Sequence, residues 1–185
     1  MPAERTEPTE PTVADLAEPG VRTDQVLAEW RVARPDLDAS PIRVFAAVAV
    51  AGRLVEEFYE SSAARHGILG ADFFLMAELR RRGEPFACTP GELSDVLVRS
   101  TGGMTKQLDR IEAARYIRRV ANPEDRRSSL VRLTPRGRRL IDAALEDHFR
   151  AETELLEGLD EPELDRCVQL LRALGSRLRD WTPTD

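Results

Sequence analysis

With 185 residues, 42% hydrophobic and 32% charged, the chain is long enough to bury a core of its own without disulfides or a structural metal. No apolar run approaches a membrane span, and the start lacks a basic segment followed by an apolar one. Cys88 and Cys167, and His66 and His148, are too far apart for metal-ligand spacing, so a cytoplasmic protein with no metal and no cofactor is expected.

Residues 1–20 are rich in proline and acid and read as a disordered tail. Thr23 is then expected to cap a short helix to about Arg34, with Val26, Leu27 and Trp30 on one face and Pro35 as its stop. Ser40 followed by Pro41 is a cap and first-position signal for a long helix to His66, with Val44, Val48, Val55 and Phe58 along one face. Ala71 to Arg82 reads as a third helix, closed by Gly83, with Phe73, Met76 and Leu79 at helical spacing.

Thr89-Pro90-Gly91-Glu92 is a capping box, and the two-turn helix after it carries Leu93, Val96 and Leu97. Ser100 opens another helix, with Met104, Leu108 and Ile111 inward and Gly102, Gly103, Lys106, Asp109 and Arg110 outward. Two short helices joined by a tight turn have helix-turn-helix spacing.

The period then changes. Ile117–Ala121 and Ser129–Leu133 are strand-like runs flanking a charged Asn-Pro turn, which predicts a hairpin. Thr134-Pro135 caps a helix to about Glu157, and Asp160 with Glu163 opens a last one to about Trp181. In that last helix Leu164, Cys167, Leu171, Leu174, Leu178 and Trp181 recur at alternating intervals of three and four, a seam suited to a partner helix. Homodimerisation is the favoured reading of it, and an intramolecular amphipathic helix is the other.

The charge is unevenly distributed. Between Arg99 and Arg139 there are twelve basic residues and four acids, a net +8 inside a chain whose total is −6. Such a block is the electrostatic footprint of a surface that meets phosphate, or else a solvated arginine-rich face. An enzyme is not expected, since the chain has no nucleophile motif, phosphate loop or paired histidine and carboxylate.

A helix-turn-helix followed by a hairpin containing Asp125-Arg126-Arg127 and an alternating run ending Leu133-Thr134-Pro135-Arg136-Gly137 resembles the MarR family of winged-helix regulators. Ser100-Thr101-Gly102-Gly103-Met104-Thr105 is similar to the start of that family's recognition helix, and the likeness runs from about Trp30 to the C-terminus. The resemblance implies a mostly helical homodimer that binds a pseudo-palindromic double-stranded operator and is usually released by a small molecule. The implied organisation is residues 21–68 for N-terminal helices serving dimerisation and a ligand pocket, 69–134 for a winged helix-turn-helix lobe, and 135–185 for C-terminal dimerisation helices.

In those roles Ser100, Thr101, Gly102, Gly103, Thr105, Lys106 and Arg110 would face DNA from the recognition helix. Two glycines in a first turn cost about 1 kcal/mol each, which makes sense if a backbone must approach closely there. Asp125 would pair with a tip arginine and shape the wing, while Arg126 or Arg127 enters the minor groove. Leu164, Leu171, Leu174, Leu178 and Trp181 would form the dimer seam. Where the family ends its recognition helix with glycine, this chain has Arg115, so either the turn differs or Arg115 gains a phosphate contact.

Trp30 and the segment to Ser40 resemble the family branch that responds to urate and related purines or phenols. The acid and the arginine expected to hold urate fall on Phe74 and Gln107, which disfavours a buried anion. What remains is a more apolar aromatic ligand held by Trp30, Phe45, Phe73 and Phe74, or no ligand. A second route to sensing is oxidation of Cys88, beside a helix cap whose dipole lowers a thiol pKa. A helical interaction module that binds no DNA is the competing class.

Overall fold

The computed structural model describes residues 19–97, 100–123, 125 and 127–182. The expected tail up to residue 18, together with Arg99, Glu124 and the expected DNA contact Arg126, lies outside them. The chain divides into two compact units, one ending at Gly70 and the other beginning at Ala71. Among the described residues there are seven helices and one three-stranded antiparallel sheet, a mostly helical fold as expected. No described helix is long and apolar enough to cross a membrane, and no described group of His, Cys, Asp and Glu could hold a metal ion.

In the first unit α1 (Pro19–Ala33) packs against α2 (Ile42–Ala64) and buries Leu27. Helix α1 starts at Pro19 and so takes up the end of the segment expected to be a tail. Ser40 does not cap α2 either. Pro41 occupies the cap with no side-chain hydrogen bond, and the Ser40 N–H donates to Asp38 Oδ1 at 2.9 Å in the preceding turn. The face expected to be inward is open at Val44 and Val55.

The second unit opens with α3 (Gly70–Arg81), whose Phe73, Leu75, Met76 and Leu79 are buried. β1 (Ala87–Cys88) was not foreseen, because two residues carry no periodicity; the strand exists through its partner. It pairs with β3 (Ser129–Leu133), which also pairs with β2 (Ile117–Ala121), giving the order β1-β3-β2. The hairpin strands have the bounds expected from the sequence.

α4 (Pro90–Leu97) carries the predicted capping box: Glu92 N–H donates to Thr89 Oγ1 at 3.2 Å and Thr89 N–H to Glu92 Oε2 at 2.7 Å. α5 (Thr101–Ala113) follows, with Met104, Leu108 and Ile111 each 2% exposed. These side chains join Leu93, Ile117, Val131 and Ile141 in the core. Burying such side chains contributes roughly 1.5–3 kcal/mol each, which fixes α5 against the sheet.

α6 (Pro135–Leu155) begins at a junction that explains Gly137. Thr134 accepts the Gly137 N–H at 3.0 Å and donates its hydroxyl to Arg115 O at 2.8 Å. A Cβ on Gly137 would lie 1.9 Å from Tyr116 O, so only glycine lets the helix start this close to the hairpin's root. α7 (Glu161–Asp180) has the expected Asp160–Glu163 capping box, and none of its residues is buried. Cys167, one position of the expected seam, is exposed in the single chain.

Candidate nucleic-acid interface

The helix-turn-helix reading places α5 as the reading element, and its local chemistry fits. Ser100 is extended and its hydroxyl accepts the Gly103 N–H at 3.3 Å, so the first turn is capped by a small side chain. Since Met104, Leu108 and Ile111 hold the opposite face, Gly102, Gly103, Thr105 and Lys106 are exposed together. Thr101 is the first residue of the helix. A Cβ on Gly102 would meet nothing within 4 Å, so packing within the chain does not demand glycine there.

Just past α5 and its C-cap Ala114, Arg115 takes a left-handed conformation at φ 60°. Arg115 N–H donates to Glu112 O at 2.8 Å and Tyr116 N–H to Ile111 O at 3.1 Å, the two bonds of a Schellman cap. The turn therefore does not differ from one made by glycine; the arginine adopts it at a cost of about 1 kcal/mol.

The charged block is not uniformly free. Arg110 donates through Nε and Nη2 to the two carboxylate oxygens of the buried Asp72 on α3, at 3.0 and 2.5 Å, and this pairing raises the guanidinium's pKa. Arg119 on β2 is bound by Asp109 at 2.6 Å and by Glu112, both on α5, with its pKa raised first by the Asp109 hydrogen bond. Gln107 is buried and donates to Ala71 O at 2.6 Å. Neither Asp72 nor Arg119 stood out in the sequence, because partners ten and thirty-eight positions away leave no local spacing to read.

At the wing tip Asp125 does not bind a guanidinium among the described residues; its Oδ1 accepts the Arg127 backbone N–H at 2.9 Å. Ser128 N–H donates to Asp125 O at 3.1 Å, and Asn122 Nδ2 donates to Ser128 Oγ at 2.8 Å. The aspartate thus shapes the loop through the backbone, leaving the Arg127 side chain uninvolved in those bonds.

The four candidate ligand aromatics fall into different surroundings. Trp30 and Phe45, about half exposed, line a hollow of about 490 Å³ in the first unit with Leu37, Pro41 and Ile42. Phe73 is a core residue of the second unit, 4.8 Å from the His148 ring. Phe74 lines a separate hollow with Phe149 and Leu145. Cys88 reverses the expectation for a reactive thiol: burial in β1 pushes its pKa up to about 11. A cap dipole does not lower a thiol that the fold keeps out of water.

Comparison with known proteins agrees with this geometry. A family model described as the MarR family matches residues 66–128. The HTH-type transcriptional regulator PecS of Dickeya dadantii is 31% identical over 158 residues, covering 85% of this chain and 95% of PecS. A mutant MarR from E. coli solved with operator DNA is similar in fold at a TM-score of 0.61 and 23% identity, over 78% of this chain and 96% of that one. Bordetella bronchiseptica BpsR, solved to explain regulation of its DNA binding by 6-hydroxynicotinic acid, has a TM-score of 0.59 at 22% identity, over 70% of this chain and 90% of that one.

Proposed function

Because the chain belongs to the MarR family of transcriptional regulators, we propose that it binds a pseudo-palindromic operator as a homodimer, represses, and leaves the DNA when a small aromatic or phenolic ligand binds. The observation that carries the DNA reading is the joint presentation of Gly102, Gly103, Thr105 and Lys106 on a helix whose other face is locked in the core. Arg127 is offered by the wing and Arg115 by the helix end, while Arg110 and Arg119 serve mainly to hold the reading surface in shape. Arg126 and Thr101 complete the contact set by resemblance. PecS is likewise an HTH-type transcriptional regulator, and the E. coli MarR mutant is held on operator DNA in its structure.

Selection of bound duplexes from a random pool tests this directly. Inverted half-sites about one helical turn apart are expected; retention of no duplex would overturn the reading. Arg127→Ala should weaken binding to all sequences and flatten the salt dependence by about 0.9 per lost phosphate contact. Gly102→Ala should leave folding intact or improve it by up to about 1 kcal/mol, yet lower operator affinity if the backbone approaches DNA there.

For the ligand, the hollow lined by Trp30 and Phe45 supports a flat, largely apolar compound. Asp72 and Arg110 neutralise each other, so neither offers a free charge to a urate-like anion. BpsR offers a solved relative in fold whose DNA binding answers to a small aromatic acid. Tryptophan fluorescence titrated with small phenols, with Trp30→Phe as the silent control, is the measurement; a response unchanged in that variant moves the site elsewhere. The raised thiol pKa gives no support to sensing through Cys88.

A further inference from the structure

We propose that the outer face of the wing sheet carries a second site, which takes a phosphate-type oxyanion between Arg118 and Arg132. The two arginines are directly opposed across β2 and β3. Like charges in that register repel, and strands normally place an acid or a neutral residue there. On its other side Arg132 faces Ala87, so the sheet itself supplies no counter-charge.

Neither arginine makes an ion pair among the described residues, and Arg132, on the central strand, is half-buried. A partly desolvated guanidinium without a carboxylate is unfavourable until an anion reaches it. Both line a hollow of about 430 Å³ with Arg138, Arg139 and Glu84, four arginines against one acid. Arg138 is held in place, 4.6 Å above the Phe86 ring, 3.3 Å from Glu84 Oε1 and 3.7 Å from Asp142 Oδ2, so the net charge of the hollow rests on Arg118, Arg132 and Arg139. The hollow thus gathers guanidinium groups, one of them stacked on an aromatic ring, a composition suited to recognition of phosphoryl oxygens.

The site is distinct from the reading face of α5. Arg119, adjacent in sequence, is committed to Asp109 and Glu112, whereas Arg118 points to the other side of the pleat. Two sources share the required chemistry: a backbone phosphate of duplex flanking the wing, or a free polyphosphate-like effector. The second does not depend on the operator reading above.

The test compares the full chain with the double variant Arg118→Gln, Arg132→Gln. Removal of the cross-strand repulsion should leave the variant's Tm in chloride buffer at or above that of the parent, which certifies its fold. Pyrophosphate, at ionic strength matched with chloride, should raise the parent's Tm saturably and leave the variant's unchanged; this outcome assigns a free anion. Alternatively, extending an operator duplex by a turn beyond each wing should tighten binding by the parent only, with a salt dependence steeper than the variant's by about 1.8 for two phosphates; this assigns flanking DNA. If parent and variant respond identically in both arms, the site does not exist. A chain that binds no duplex at all still answers the pyrophosphate arm, so the two readings fail separately.

Discussion

Helices α5 and α7 are built alike and end differently. Each has a side-chain N-cap and an apolar row at helical spacing. Yet α5 sinks Met104, Leu108 and Ile111 to 2% exposure, while Leu171 and Leu178 of α7 and Trp181 at its C-cap stay at 51–69%. Amphipathic spacing announces that a face wants cover; it does not say whether the cover lies in the same chain. In α5 the sheet and α4 supply it, and in α7 the proposed second copy does.

The contrast is most sharply tested at its most crowded point. Gly137→Ala sets a methyl against the Tyr116 carbonyl and should destabilise the second unit by about 3 kcal/mol or more, read as a fall in denaturation midpoint. A loss below about 1 kcal/mol would mean the junction gives way easily. Leu171→Glu with Leu178→Glu probes the other pole. These changes should dissociate the proposed homodimer in sedimentation while leaving helix content intact, and an unaltered mass would return α7 to an intramolecular role.

Smaller effects sharpen the picture. Arg115→Gly relieves a left-handed side chain and should raise stability by about 1 kcal/mol, while lowering affinity for DNA if the guanidinium meets a phosphate. The thiols follow the same division between covered and open regions. At pH 8 iodoacetamide should modify Cys167 in the dissociated variant and spare Cys88, whose labelling should rise only as pH nears about 11. Because the folded pKa of Cys88 is the higher one, the stability it contributes is present below the unfolded thiol's value of about 8.5 and is lost as pH climbs toward about 11. Rapid loss of both thiols at pH 8 would show that β1 opens readily.

What could be read beforehand was local. The capping boxes at Thr89 and Asp160 and the two hairpin strands depend on neighbours within a few positions, and all appear where spacing put them. The left-handed end at Arg115 was likewise visible as a glycine position filled by something else. What escaped depends on distant partners: β1 is defined by β3, Arg110 is claimed by Asp72, and Cys88 is sealed by the sheet rather than activated by a nearby cap. Ser40 is the local exception, because Pro41 takes the cap and the Ser40 amide turns back to Asp38 in the preceding turn. The net +8 was a count of residues, and the fold spends part of it on internal pairs.

Arg119 has a mechanical consequence. By gripping Asp109 and Glu112 at once, a single side chain rivets the first strand of the hairpin to the C-terminal part of α5. Helix and hairpin are thereby one stiff caliper with a set gap between its jaws, and a force that tilts either jaw must carry the other with it.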